Sequence, residues 1–293
     1  MSKELSGKKT AEALDSRNRQ KVEELRLKGI VPCLAILRCG EDPSDMNYER
    51  GALKKASLLG IETRLVTLPE DVSSDRLKQE IEKLNQDSKV HGVLMFRPLP
   101  KGLRPEEEEI INTLDSAKDV DGMTYLSNAG VYAGSSLGFP PCTPEAVMEI
   151  LSFYGYDLTG KKVTVIGRSL VVGKPVAMML IGANATVTVC HTRTVNVPQI
   201  AREADIIVTA AGVLNSLTKD FVRPGQTVID VGINWDPEKN DGKGGISGDV
   251  CFNEVSSIVS ALTPVPGGVG SVTTSVLMWH VIEAAFRIHG QEG

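Results

Sequence analysis

From residue 161 onward, short β-branched runs alternate with segments of helix length, and that alternation leaves few folds open. Residues 161–167, 185–191, 205–210 and 227–231 read as strands, with helices at 173–181 and 197–203. Strands joined through helices lie parallel, and the helices cover both faces of the sheet. The first half repeats the pattern, with strands at 31–37, 61–68 and 90–96 and helices at 11–28, 42–60 and 74–84. Gly29 and Gly60 stand where helices end. Thr143 reads as an N-cap with Pro144 at N1 of a helix reaching residue 154. Residues 236–245 read as a polar loop, and 272–288 as a closing apolar helix.

A chain of 293 residues is twice the length of a typical domain. The division expected is an N-terminal domain over 1–142, with the helix 272–293 packing back onto it, and a second domain over 143–271. The composition, 41% hydrophobic and 24% charged, excludes disordered, collagen-like and coiled-coil classes. With 32 basic against 37 acidic residues, the chain lacks the electrostatic footprint of a nucleic-acid or anionic-membrane binder. Two Trp, five Tyr and six Phe also make stacking on single strands a poor reading. A small molecule is the expected partner. Cys33, Cys39, Cys142, Cys190 and Cys251 form no zinc-ligand spacing, so they read as reduced thiols and no metal is expected. Cys190-His191 reads as structural, and the acids Glu106 to Glu109 as the first turn of a helix after Pro105. No signal-peptide core or membrane-length apolar run is present, and a cytoplasmic address is the expectation.

The strand ending at Ile166 runs into Gly167-Arg168-Ser169-Leu170-Val171-Val172-Gly173-Lys174-Pro175 and then a helix. A glycine turn at that junction lets backbone N–H groups approach a pyrophosphate, although the spacing is not GxGxxG. An NAD site usually has an acid at the end of the next strand to hold the ribose 2′-hydroxyl. Here that place holds His191-Thr192-Arg193. With Arg168, Thr192 and Arg193 as donors and no carboxylate, NADP is favoured and NAD is the alternative.

Four motifs in one order carry a resemblance that spans the chain. They are the 167–175 loop, Lys118-Asp119-Val120-Asp121-Gly122, Pro141-Cys142-Thr143-Pro144, and Pro266-Gly267-Gly268-Val269-Gly270. Together they resemble the methylenetetrahydrofolate dehydrogenase/cyclohydrolase family. The resemblance implies an α/β protein of two domains and usually a homodimer: an N-terminal α/β folate-cleft domain, and a Rossmann-type doubly wound dinucleotide-binding domain whose C-terminal helix returns to the first. It implies oxidation of 5,10-methylenetetrahydrofolate with NADP, then hydrolysis of the methenyl product. Tyr48 and Asp121 take the places of the family's folate-stacking tyrosine and pterin-binding aspartate, and are the expected catalytic residues. Phe96, Pro98, Pro266, Gly267 and Gly268 complete the expected substrate site. The expected cofactor site is Gly167, Arg168, Ser169, Val172, Gly173, Lys174, Pro175, His191, Thr192, Arg193, Ala211, Gly212 and Gly232.

The sequence departs from the family where hydrolysis is concerned. The cyclohydrolase lysine, four residues after the tyrosine, falls on Ala52, and the glutamine that holds it falls on Phe96. The usual proline after Gly-Gly-Val-Gly is Ser271. Hydride transfer needs alignment, whereas hydrolysis needs a group of adjustable pKa. A dehydrogenase without cyclohydrolase is therefore the leading expectation. The alternatives are a bifunctional enzyme with Lys55 or a water chain replacing the lysine, and a silent folate- or nucleotide-binding paralogue. Arg97 reads either as a loop anchor or as a contact near the folate glutamate tail.

Overall fold

The computed structural model describes residues 2–290. In chain order its first half holds β1 (Lys3–Glu4), α1 (Gly7–Leu27), β2 (Cys33–Cys39), α2 (Pro43–Leu59), β3 (Glu62–Leu68), α3 (Ser74–Gln86), β4 (Gly92–Met95), α4 (Glu107–Ile111) and α5 (Tyr125–Ala133). The second half holds α6 (Cys142–Phe153), β5 (Lys162–Ile166), α7 (Gly173–Gly182), β6 (Thr186–Cys190), α8 (Val197–Glu203), β7 (Ile206–Thr209) and β8 (Thr227–Asp230). It closes with β9 (Asn234–Asp236), the kinked turn α9 (Lys239–Gly242), β10 (Gly245–Ser247), α10 (Phe252–Val255), β11 (Ala261–Leu262) and α11 (Thr273–Gly290). Two compact units result: Met1–Glu12 with Thr143–Thr273, and Ala13–Cys142 with Thr274–Gly293. Among the described residues, no helix is long and apolar enough to cross a membrane.

The unit of residues 13–142 is built on a parallel sheet in the order β3-β2-β4. β2 is central, and its first six residues are buried, as a strand covered on both faces requires. α3 contributes Leu77, Ile81 and Leu84, one stripe at helical spacing, to a core with Leu37, Val93 and Ile110. Local chemistry sets the helix ends. Asp42 caps α2 by accepting from the Ser44 N–H at 2.8 Å, with Pro43 in the first turn, and left-handed Gly60 (φ 78°) closes it. α11 belongs to this unit, and Val281 on it lies where a Cβ at Gly92 would stand.

The other unit holds a six-stranded sheet in the order β1-β11-β8-β7-β5-β6, parallel throughout. β7 and β8 are buried along their whole length. The chain leaves β5 for β6 on one side and then crosses to β7 on the other. That reversal leaves a crevice at the carboxyl ends of β5 and β7.

Two expectations need correction. Residues 1–12 belong with the nucleotide-type sheet, because β1 pairs with β11 through bonds such as Leu5 N–H to the Leu262 carbonyl at 2.9 Å. Both side chains of β1 are exposed, so no apolar pattern announces it. α6 begins at Cys142, which puts Thr143 and Pro144 inside the first turn rather than at N-cap and N1. The polar stretch 236–245 is the loop that connects β9 to β10 in an antiparallel hairpin, as its composition leads one to expect.

Candidate active site

In the unit of residues 13–142, two adjacent strands deliver the aromatic part of the site. β2 and β4 pair with Leu37 opposite Met95, so the chain leaves both strands at one level. Phe96 follows β4, donating its N–H to the Leu37 carbonyl at 3.3 Å, and its ring meets Tyr48 of α2 edge-on at 6.0 Å. Tyr48 is 36% exposed, a large ring left half open to solvent. One turn on, Ala52 is fully buried and presents only a methyl group. Glu49, also buried on α2, accepts from Arg38 Nε at 3.0 Å, and Arg38 also donates to the Gly40 carbonyl. Lys55 does not stand in for the absent lysine, because its ammonium is paired with Asp15 of α1.

The segment 118–122 divides its charged residues between scaffold and site. Lys118 is buried and donates to the carbonyls of Leu84, Asn85 and Asp87 at 2.9, 2.7 and 2.7 Å, satisfying the end of α3. Burial pulls its pKa below the ordinary lysine value. Asp119 accepts from the N–H groups of Met123 and Thr124 at 3.0 and 2.7 Å and from the Ser127 hydroxyl at 2.7 Å. It thereby fixes the start of α5. Asp121 is half-buried and takes no such backbone duty. Desolvation pushes its carboxyl up to about 6, with the charge of Asp119 in the same direction; a hydrogen bond from Cys142 and the charges of Arg97 and His280 oppose it. Pro98 follows Arg97 through a cis peptide bond and is exposed.

In the other unit, the residues expected at the cofactor gather at the carboxyl ends of parallel strands. Gly167 follows β5 with φ +129°, and a Cβ there would stand 2.3 Å from the Ala210 carbonyl oxygen that follows β7. A Cβ on Gly173 would stand 2.3 Å from the Gly167 oxygen, so the loop closes tightly on the start of α7. Ser169 Oγ accepts from the N–H groups of Val172 and Gly173 at 3.1 and 3.4 Å, and its carbonyl accepts from Lys174. Pro175 has no N–H to place. The first turn of α7 is thus satisfied from within the loop. This backbone fits a phosphate-bearing ligand.

β6 pairs with β5 so that Ile166 lies opposite Cys190, and Arg168 and His191 emerge from neighbouring strands. His191 Nδ1 accepts from the Arg193 N–H at 3.1 Å and its own N–H meets Thr194, so the ring caps its loop. Cys190 is fully buried. Among the described residues, no group of three or more His, Cys, Asp or Glu could hold a metal. Arg168, Thr192 and Arg193 are exposed. Pro266, Gly267 and Gly268 follow β11, and the Gly267 carbonyl accepts from the Gly7 N–H at 2.8 Å. After them, Val269, Gly270 and Ser271 form a short 3-10 turn into α11.

Two carboxylates that sequence reasoning missed organise this region. Asp249 accepts from the N–H groups of Ala211, Gly212 and Val213 at 2.7, 3.1 and 3.0 Å, and from Thr209 and Asn234. The N–H groups of Ala211 and Gly212 therefore serve the scaffold. Asp230 accepts from Gly232, Asp249 and Val250, and a Cβ on Gly232 would stand 2.2 Å from Asp249 Oδ1. Burial pushes the Asp230 carboxyl up to about 6. Neither acid, one after Ile229 and one after Gly248, carries a sequence signal of this kind; only the fold shows which amides each collects.

Known proteins share both units. A model described as the catalytic domain of tetrahydrofolate dehydrogenase/cyclohydrolase matches residues 5–121, and one described as its NAD(P)-binding domain matches 141–289. A protein named bifunctional protein FolD from Carboxydothermus hydrogenoformans is 47% identical over 290 residues, covering 99% of each chain. The solved bifunctional FolD methylenetetrahydrofolate dehydrogenase/cyclohydrolase of Campylobacter jejuni is 38% identical with a TM-score of 0.91, covering 98% of this chain and 99% of that one. The Trypanosoma brucei enzyme, solved with NADP and an inhibitor, is 32% identical with a TM-score of 0.89 and covers 98% of each chain.

Proposed function

From the premise that the chain belongs to the tetrahydrofolate dehydrogenase/cyclohydrolase family, we propose that it oxidises 5,10-methylenetetrahydrofolate to the methenyl form, with NADP as hydride acceptor. The observation that carries the reading is the division of labour in 118–122: Lys118 and Asp119 are spent on backbone, and Asp121 is left to accept a ligand. A pterin offers two adjacent N–H donors on its amidine edge, which one ionised carboxylate takes as a pair. Tyr48 offers the folate a ring face. The lone pairs of the nitrogens flanking the methylene carbon drive hydride departure, so the protein's task is alignment. The 167–173 loop would hold the cofactor's phosphates, with Arg168, Thr192 and Arg193 at its 2′-phosphate; bound there, NADP takes up the hydride. NADP as cofactor of the Trypanosoma brucei relative supports the choice over NAD. A homodimer and a cytoplasmic address belong to the same proposal, on the family's support alone.

The second activity divides two observations. The relatives are named bifunctional, which backs retention of hydrolysis over the dehydrogenase-only expectation. Ala52 and Phe96 put no titratable group at the lysine and glutamine positions, and Lys55 is tied to Asp15. A bifunctional enzyme here would have to activate water through another group. One spectrophotometric run tests both points, with pure protein, 5,10-methylenetetrahydrofolate and either NADP or NAD. Reduced cofactor forming faster with NADP supports the proposal, and no reduced cofactor with either overturns it. Methenyl product draining above the blank rate establishes hydrolysis without the lysine; methenyl accumulating in step with reduced cofactor establishes a dehydrogenase alone.

A further inference from the structure

The buried face of α2 is one stripe, Glu49, Ala52, Ala56 and Leu59, at the spacing of a packed helix. Asp45, four residues before Glu49 and three before Tyr48, begins that stripe and is half-buried. Its charged neighbours are all held or turned away. Asp42 accepts from the Ser44 N–H and hydroxyl at 2.8 and 2.7 Å, Glu49 accepts from Arg38 at 3.0 Å, and Lys55 is paired with Asp15. Arg50 and Lys54 are exposed on the opposite side of the helix. Among the described residues, no hydrogen bond or ion pair holds the Asp45 carboxylate. An acid in a first turn also complements the helix dipole, but that duty needs neither burial nor a place on the inner stripe. The family's lysine would stand at Ala52. Helix side chains lean toward the N-terminus, so a lysine there would carry its ammonium over the turn of Tyr48 and on toward Asp45. Seven residues of rise separate the two, about 10 Å, and an extended lysine stem crosses much of it.

We propose that Asp45 is the base that activates water for hydrolysis of the methenyl product, in place of the lysine. The inference rests on the reading of Tyr48 as the folate's ring contact. Water forms a C–O bond to the methenyl carbon as Asp45 takes its proton, which turns the cation into a neutral hydroxyl adduct. The bond from that carbon to N5 then breaks, its electron pair returning to the nitrogen, and N5 takes the proton from Asp45. The hydroxyl proton leaves to solvent, and the formyl group stays on N10. The surroundings suit a base. Desolvation raises the Asp45 carboxyl above the ordinary aspartate value, the charge of Asp42 adds to this, and that of Arg38 opposes it.

The test measures methenyl hydrolysis above the blank, and methylene oxidation with NADP, in the unmodified protein, Asp45→Asn and Asp45→Glu. The unmodified protein should hydrolyse methenyl substrate above the blank, with an acid limb in saturating kcat that lies above the ordinary aspartate value of about 4. Asp45→Asn should lower the ratio of hydrolysis to oxidation about a hundredfold, the scale of one positioned acid–base group, and abolish the limb. Asp45→Glu, which keeps a carboxylate, should recover part of the rate and move the limb. A purely structural role would lower both activities together and leave the ratio. Oxidation without hydrolysis in the unmodified protein, or an unchanged ratio in Asp45→Asn, would overturn the inference and leave the dehydrogenase reading standing. Neither activity in the unmodified protein would overturn that reading, and the inference with it. The pH profile of the unmodified protein is independent of how the variants fold: hydrolysis without an acid limb overturns the inference.

Discussion

On the proposed reading, the two units bind by different means. In the nucleotide-type unit the backbone forms the site: glycines at 167 and 173 permit contacts that no Cβ allows, and Asp249 and Asp230 fasten the neighbouring loops through amide N–H groups. In the other unit side chains form it, with Tyr48, Phe96 and Asp121 projecting from elements whose own polar groups are already satisfied. A backbone site tolerates side-chain change around it. A side-chain site can change its chemistry through two substitutions, and Ala52 and Phe96 are where this chain departs from the family's pattern.

The largest effect expected is at Asp121. Asp121→Asn should lower folate kcat/KM about a thousandfold, the scale of removing one partner of a desolvated charge-paired contact. Because burial holds this carboxyl near 6 and the pterin donors need it ionised, kcat/KM of the unmodified enzyme should fall as pH drops below about 6. That limb should vanish in the variant, which has nothing to titrate.

Reversing the two departures sharpens the comparison further. Ala52→Lys with Phe96→Gln should raise methenyl hydrolysis about a hundredfold, the range of one positioned acid–base group. Ala52 is fully buried, so the paired change is needed to open the space. Hydrolysis unchanged by the pair would mean that the activity, where present, never depended on this corner.

On the backbone side, replacing Arg168 and Arg193 together by serine should raise NADP KM about twentyfold, the scale of lost charge-assisted bonds, and leave NAD use nearly unchanged. Equal loss with both cofactors would remove the arginines from the 2′ position. The smallest effect concerns Asp230. Its folded pKa is raised, so it adds stability that is full below the unfolded value near 4 and lost as pH rises through about 6. The Tm of the unmodified protein, measured against Asp230→Asn, should therefore gain as pH falls from 7.5 to 5.5, by a free energy on the order of 1 kcal/mol.

The parallel sheets were legible because their strands write short β-branched runs into the sequence, as β5 to β8 all do, even β6 at the largely exposed edge. β1 was not, since two exposed residues at a sheet edge carry no pattern. The 167–175 loop declared itself through glycines with one steric use each. The KDVDG-type segment declared its position but not its division of labour, because Lys118, Asp119 and Asp121 differ only in which partners the fold brings to them. Asp249, Cys142 and His280 were silent for the same reason: Asp249 acts on Ala211, and Cys142 and His280 on Val120, groups distant from them in the sequence. Lys55 lies on the helix face of Tyr48, and only the fold shows Asp15 holding it.

Isotope transfer tests the central claim most directly. The enzyme would turn over 5,10-methylenetetrahydrofolate deuterated at the methylene carbon with NADP, and the reduced cofactor would be analysed by mass spectrometry. The account predicts deuterium in the reduced cofactor in proportion to methenyl product formed. Reduced cofactor without deuterium, or no reduced cofactor at all, would contradict it.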